Sequence, residues 1–275
     1  MKKCVLIITL VVLGLGNRLS GADLPIHSSY YRSYELLDEL ANYGLIELNS
    51  AVKPYGRKWM QQQLLSIAND EVKMQLLPGR LQQEIRWTME ELALEAGRIP
   101  VSKVPLWKNA SNLAAPWPPE YNYYSPDFQA SIRPILGMHL WKNNAGTVDR
   151  RWFGASFHSY MGKYLAVYGS LRDISHNSAG LISRPTYLNR QPGYEYTQGT
   201  DYSESRGGIV LGSDRYSIAL VKDEVVWGDN LNGSNILSGR APSFPMIKLR
   251  LKPAKWFELN YFHGDRKSTR LNSSH

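Results

Sequence analysis

Residues Phe128–Trp141, FQASIRPILGMHLW, decide how the chain is read. Phe128, Ala130, Ile132, Leu136, Met138 and Leu140 alternate with Gln129, Ser131, Arg133, Gly137 and His139. A period of two puts the two sets on opposite sides of a β-strand. The same alternation continues downstream. Phe153, Ala155 and Phe157 oppose Trp152, Ser156, His158 and Tyr160. Leu165, Val167 and Leu171 oppose Tyr164, Tyr168, Ser170 and Arg172. Further strands are expected at 206–212, 216–223, 245–251 and 256–263. Short connections, Gly162-Lys163 and Ser213-Asp214, alternate with long ones at 174–205 and 228–244.

Several of these strands run ten residues or more. Strands of globular sheets usually have ~5–6 residues, whereas a tilted membrane-crossing strand needs ~9–11. One face is apolar and the other carries glycines, aromatics and charges, the dyad pattern of a barrel with a lipid-facing exterior and a wet lumen. A soluble β-sandwich also has one apolar and one polar face. Strand length, and the placing of many of the 17 tyrosines and 8 tryptophans near strand ends, favour the membrane. About seven strands are legible, fewer than the eight a membrane barrel needs, so the barrel is expected to be incomplete.

Upstream of Asp127 the period is helical. Leu36, Leu37, Leu40 and Tyr43 recur at helix spacing before Gly44. After the turn Pro54-Tyr55-Gly56, residues 57–69 put Trp59, Met60, Leu64 and Ile67 on one face. A third helix over 79–96 carries Leu81, Ile85, Thr88 or Met89, and Leu92, and stops at Gly97. Three such helices make a small bundle whose core is marginal alone, so it is expected to lean on the strands. Residues 98–126 hold six prolines and read as an extended linker.

The ends carry their own signals. Lys2 and Lys3 precede the apolar run Val5–Leu15, and Ser20-Gly21-Ala22 offers small residues for cleavage after Ala22. That pattern is a secretory signal peptide, too short to span a bilayer as a helix. The terminal string DRKSTRLNSSH, residues 265–275, resembles a translated sequencing adapter, so the natural sequence is expected to end near Gly264 and the chain to be a fragment. Setting both ends aside removes six basic residues and one acidic one from 32 and 24. What remains is 26 basic against 23 acidic, +3 rather than +8, and no nucleic-acid footprint survives. Cys4, the only cysteine, precedes the apolar run, so the mature chain has no disulfide, thiol nucleophile or cysteine metal site. The expected divisions are 1–22 signal peptide, 23–97 helical bundle, 98–126 linker, 127–264 partial barrel and 265–275 tail. The fold class is α+β: a small N-terminal helical bundle followed by an incomplete antiparallel outer-membrane β-barrel.

Chemical motifs are sparse. His27, His139, His158, His176 and His263 lack metal-ligand spacing, and no nucleophile elbow, P-loop or dinucleotide fingerprint occurs. His139 and His158 fall on polar strand faces, as lumen-lining residues would. A glycosidase needs two carboxylates flanking a bond, but Asp223 and Glu224 are adjacent and would point to opposite faces of a strand. No catalytic residue, metal or cofactor is expected.

The stretch Trp227–Pro245, WGDNLNGSNILSGRAPSFP, lies between strands. Trp227 offers a stacking face; Asn230, Asn232 and Asn235 offer amides; Asp229 a carboxylate; Arg240 a guanidinium suited to an acidic sugar. Aromatic faces with short fixed polar groups suit sugar rings, while Asn and Gly also simply supply turns. Composition leaves both open.

Two segments resemble the Wzi-like capsule assembly family. Trp227–Leu249, WGDNLNGSNILSGRAPSFPMIKL, is similar to its tryptophan-glycine, glycine-serine, isoleucine-leucine-serine and phenylalanine-proline pattern. Tyr30–Trp59, YYRSYELLDELANYGLI…VKPYGRKW, is similar to its N-terminal helical segment with a proline-aromatic-x-arginine turn. With the order of helices then strands, the resemblance covers residues 25–264. It implies an outer-membrane barrel with a helical bundle at its periplasmic mouth, acting without catalysis as a lectin-like factor for capsular polysaccharide. Just after the first glycine the best-studied branch of that family is richer in tryptophan and proline, where this chain has Asp229-Asn230-Leu231-Asn232, which leaves the glycan open. The expected glycan contacts are Trp227, Asp229, Asn230, Asn232, Asn235 and Arg240; the expected partners are surface polysaccharide and outer-membrane lipid. A general outer-membrane porin is the alternative, and a polysaccharide-processing enzyme the third.

Overall fold

The structure is a computed structural model that describes residues 21–27, 30–98, 121–144, 146–177, 194–197, 201–213, 215–228, 237, 243–254 and 256–264. The helical part contains α1 (Tyr31–Asn42), α2 (Arg57–Ala68), α3 (Glu71–Leu76) and α4 (Gly79–Glu91). In α1 the buried positions are Ser33, Leu36, Leu37 and Leu40, and the chain leaves the helix through Gly44 at φ +69°, where an L side chain would be strained. The face of α2 is buried through Met60, Leu64 and Ile67, as the spacing predicts.

Helix α2 begins at Gly56, which has no side chain to cap it. Asp23 supplies the cap from 33 residues upstream: Oδ1 accepts from the Lys58 N–H (2.7 Å) and Oδ2 from the Trp59 N–H (3.0 Å). The carboxylate thus satisfies two amides that the helix itself leaves free.

Two helical expectations need correction. α3 was not anticipated; its six residues are too few to show a period, and Asp70 caps it by accepting from the Lys73 N–H. α4 stops at Glu91 instead of running to Ala96. Leu92, Ala93 and Leu94 are buried in succession, which a helix with one buried face cannot achieve. The chain tightens into turns and reverses at Gly97, φ +74°.

The strands are β1 (Val52–Lys53), β2 (Tyr121–Tyr124), β3 (Phe128–Asn143), β4 (Gly146–Met161), β5 (Leu165–Asn177), β6 (Tyr194–Thr197), β7 (Asp201–Gly212), β8 (Tyr216–Asp223), β9 (Val226–Trp227), β10 (Phe244–Ala254) and β11 (Phe257–Gly264). All but β1 and β9 form one antiparallel sheet in the order β11-β10-β8-β7-β5-β4-β3-β2, with β6 pairing the start of β7. β3 and β4 pair without a bulge from Phe128↔Met161 to Asn143↔Gly146. The sheet is not closed, and β2 and β11 are its edges. The long connection expected over 174–205 is shorter at both ends, since β5 continues to Asn177 and β7 starts at Asp201.

The predicted alternation sets the two faces. Ile132, Leu136, Phe153, Leu171, Leu220 and Leu259 stand on one side and are exposed. Every strand from β3 through β11 on the main path contributes to this apolar face. The opposite, polar face is covered in part, by residues 21–27 and by the bundle through Arg133–Glu91 and Tyr160–Glu95.

Two apolar clusters hold the chain together. One is the helical core of Leu36, Leu37, Leu40, Met60, Leu64, Ile67, Leu81 and Ile85, each side chain contributing about 1.5–3 kcal/mol by leaving water. The other joins Ala22 and Leu24 to Tyr160, Ala166, Tyr168, Val210, Ala219, Val221, Val225 and Met246 on the covered face. The strap between them is bonded along its length. The Ala22 N–H donates to Lys163 O, Arg57 N–H to Leu24 O, and Ile26 N–H to Tyr55 O, each at 2.8 Å.

Candidate functional site

Charges are rarely buried unless paired, and the covered face gathers several. Glu95, in the turn after α4, has no exposed side-chain surface. Its carboxylate accepts from Arg57 Nε and Nη2 and from the Tyr160 hydroxyl (2.9 Å), with His158 Nε2 at 3.5 Å. Burial pushes the Glu95 carboxyl up, but the Arg57 charge, His158 and the Arg57 hydrogen bond together hold it at about 2. Beside it, Arg133 Nη1 donates to Tyr30 Oη (3.0 Å) and Glu91 Oε1 (3.1 Å). These contacts dock the bundle on β3 and β4. Lys58 Nζ lies 4.2 Å over the Tyr160 ring. Burial lowers its pKa, against the charges of Asp23 and Glu95. A cavity of about 310 Å³ opens here, lined by Lys58, Glu95, Asp127, Gln129 and Tyr160 among others.

A second group sits further along the same face. Arg206 Nη2 donates to Asp223 Oδ2 (3.0 Å) and its Nε lies 2.9 Å from Oδ1, out of hydrogen-bond alignment. The Tyr168 hydroxyl donates to Asp223 Oδ2, and the Glu224 N–H to Oδ1 (2.8 Å). His27, on the strap, lies 3.5 Å from Glu204. Burial, then the Arg206 charge, lowers His27 to about 4, so at neutral pH this contact is a hydrogen bond and not an ion pair. On β10 and β11, Glu258 accepts from Arg250 Nε (2.9 Å) and Asn260 Nδ2 (3.1 Å), with Lys252 Nζ at 3.6 Å.

The strand alternation expected to oppose Asp223 and Glu224 stops at Asp223, so Glu224 lies beyond the ladder. β8 ends at Asp223, and both residues are buried. Asp223 is engaged by Arg206, Tyr168 and the Glu224 amide. Among the described residues no group of three or more His, Cys, Asp or Glu is placed to hold a metal.

Of the expected glycan contacts, Trp227 is described; Asp229, Asn230, Asn232, Asn235 and Arg240 lie outside the described residues. Trp227 is half-buried, with its ring edge-on to Phe262 at 5.4 Å. Its N–H donates to Leu237 O (3.1 Å), and the next amide, Gly228, donates to Ala51 O (2.8 Å). Val52 pairs with Trp227 and Lys53 with Val226. Trp227-Gly228 is therefore the root of the loop, clasped to the helical bundle. The two segments quoted above for their resemblance, about 175 residues apart, meet at this clasp. Gly228 has φ +80°, a conformation glycine adopts without strain.

Parity alone could not have found the Glu95 and Asp223 groups. It puts Arg133, His158, Tyr160, Arg206 and Asp223 on one face but does not say which helix residue meets them.

Comparisons with protein-family models, curated proteins and solved structures find no match to this chain.

Proposed function

We propose that the chain is a non-enzymatic outer-membrane protein that attaches or assembles surface polysaccharide. In this role the exposed sheet face meets lipid, and the loop rooted at Trp227 reaches for glycan. One observation carries the membrane part: sidedness is inverted relative to a water-soluble sheet. Ile132, Leu136, Phe153, Leu171 and Leu220 are more than half exposed, while Arg206, Asp223 and Glu95 are buried. Water-soluble monomers rarely expose contiguous apolar patches above a few hundred Å², whereas a barrel wall shows lipid this face and keeps its polar groups inside. Lipid would be the partner of that wall, and the apolar N-terminal run Val5–Leu15 would export the chain.

The glycan part rests on the loop chemistry and on the resemblance to the Wzi-like family, supported by the meeting of its two segments at the clasp. What weighs against the porin alternative is that residues 21–27 and the bundle's Glu91 and Glu95 engage the polar face.

The test uses the complete chain expressed with its leader. Leu136→Arg and Leu220→Arg each place a charge on the apolar face, at about 2–4 kcal/mol if that face sits in hydrocarbon. Each should abolish recovery in the outer-membrane fraction, and the parent should be retained on immobilised capsular polysaccharide. Both variants accumulating as soluble, folded protein would overturn the membrane part. A parent that inserts, passes large steady currents and retains no glycan would favour the porin.

A further inference from the structure

On β10 the residues facing the covered side are Phe244, Met246, Lys248, Arg250 and Lys252. The sequence KLRLK, residues 248–252, therefore lines up three cations about 7 Å apart, with Leu249 and Leu251 turned the other way. Glu258 on β11 serves both Arg250 and Lys252. Lys248 is in register with Ala219 on one side and Phe262 on the other. It is half-buried and has no hydrogen-bond or ion-pair partner among the described residues. The acids that could answer it are committed. Asp223 is held by Arg206 and Tyr168, Asp23 by the amides of α2, and Glu204 by His27.

The wall is also reachable. Arg250 and Lys252 keep 29% and 34% of their side-chain surface exposed. At its other end lies the aromatic group of Trp227, Phe262 and Phe244 at the root of the loop. Asn260 adds an amide.

We propose that this wall is a binding strip for an acidic glycan, with the Lys248 ammonium holding a carboxylate of uronic-acid type, Arg250 and Lys252 extending the track, and the Trp227 ring at its head. A half-buried ammonium whose facing carboxylate, Asp223, is already hydrogen-bonded by Arg206 and Tyr168 is a site that an anion completes, and such charge-assisted bonds are the strong ones. The proposal rests on the polysaccharide reading and gives it a substrate class.

The experiment measures retention of the complete chain, folded in detergent micelles, on immobilised oligogalacturonate, neutral dextran and poly-L-glutamate. Lys248→Met should weaken oligogalacturonate binding about tenfold or more. Lys248→Arg should keep it, and Lys222→Met, on the opposite face, should leave it unchanged. Parental affinity in Lys248→Met overturns the strip. Dextran bound as tightly as oligogalacturonate, whatever stands at 248, overturns the strip and leaves the glycan reading standing. Poly-L-glutamate bound equally well, with the same dependence on Lys248, upholds an anion strip and sinks the glycan reading. Retention on none of the three overturns both. Because Lys248 has no structural partner here, Lys248→Met should melt no lower than the parent; failure to fold would count against the proposal.

Discussion

Replacing Glu95 by leucine isolates what fastens the helical bundle to the sheet. The pair it forms with Arg57 is almost dry, with side-chain exposure of 0% and 14%. Removing one partner strands a buried guanidinium and deprives the Tyr160 hydroxyl of its acceptor. Breaking such a pair costs about 3–5 kcal/mol, a large share of a typical ~5–15 kcal/mol total. The acid side gives a similar figure. The Glu95 carboxyl titrates at about 2 in the folded chain against 4.5 ordinarily, which corresponds to about 3 kcal/mol. Since the folded value is depressed, this stability is fully present above pH 4.5 and is lost as pH falls from there towards 2. Urea unfolding of the complete chain in micelles, followed by tryptophan fluorescence, measures the loss. Limited proteolysis should show the bundle cut before the strands. Arg57→Met with Glu95→Leu should recover most of the stability, because no charge is then left unpaired. As a comparison, Glu39→Ala breaks the open Arg80–Glu39 pair, 57% and 41% exposed, and should cost at most about 1 kcal/mol. If Glu95→Leu costs no more than Glu39→Ala, or the double variant is no better than the single, the docking role of Glu95 is wrong.

Three further outcomes follow from the same contacts. Asp23→Ala removes the cap of α2 and should cost about 1–2 kcal/mol, read as a lower melting midpoint of the helical circular dichroism signal; an unchanged midpoint would show that the strap does not cap the helix. His27 titrates at about 4 when folded against 6.5 ordinarily, so it takes up a proton on unfolding between those values. Its contribution is whole above pH 6.5 and is lost as pH falls towards 4, by about 3 kcal/mol at most; His27→Gln should flatten the stability profile in that window alone. Gly228→Val forces a β-branched residue to φ +80° at about 1–3 kcal/mol and should open the clasp, seen as faster hydrogen exchange at the Trp227 amide with the β3–β4 ladder unchanged.

The faces of the sheet were legible because a period of two is a local property. Once Phe128 and Ile132 point one way, Arg133 and Tyr160 must take the other side of the same ladder. The positions of α1 and α2 were legible for the same reason, through the spacing of Leu36, Leu37 and Leu40 and of Met60, Leu64 and Ile67. What escaped was either short or distant. β1 and β9 are two residues each, too brief for any pattern, and their pairing depends on how the whole bundle sits. α3 hides in six residues, and the halt of α4 at Glu91 is imposed by packing on three consecutive residues. The cap from Asp23 to α2 spans residues that nothing in the local sequence connects. The expected site was legible only as a composition. Trp227 belongs to its root, where the ring packs against Phe262, and the loop's other expected contacts lie outside the described residues.

The covered face explains why the bundle, the strap and the loop root form one device. A sheet that turns its leucines outward must hide Arg206, Asp223, Tyr168 and Arg133 inside, and each needs a partner there. Asp223 answers Arg206 from within the sheet. Arg133 and Tyr160 find theirs in Glu91 and Glu95, so the bundle supplies acids that the strands lack. The strap carries Asp23 to α2 and His27 to Glu204, tying the bundle's position to that of β7. The clasp then ties it to the loop, since Val52 and Ala51 hold Trp227 and Gly228 directly. A ligand that moves the loop root must therefore displace β1, and displacing β1 works against the buried Glu95 and Asp23 contacts at the other end of the bundle. The base of the loop is thus pre-set, which lowers the ordering cost of binding there. Lys248, across the ladder from Phe262 and facing a carboxylate, Asp223, that Arg206 and Tyr168 already hold, is the place on that wall where an incoming acid would have most to gain.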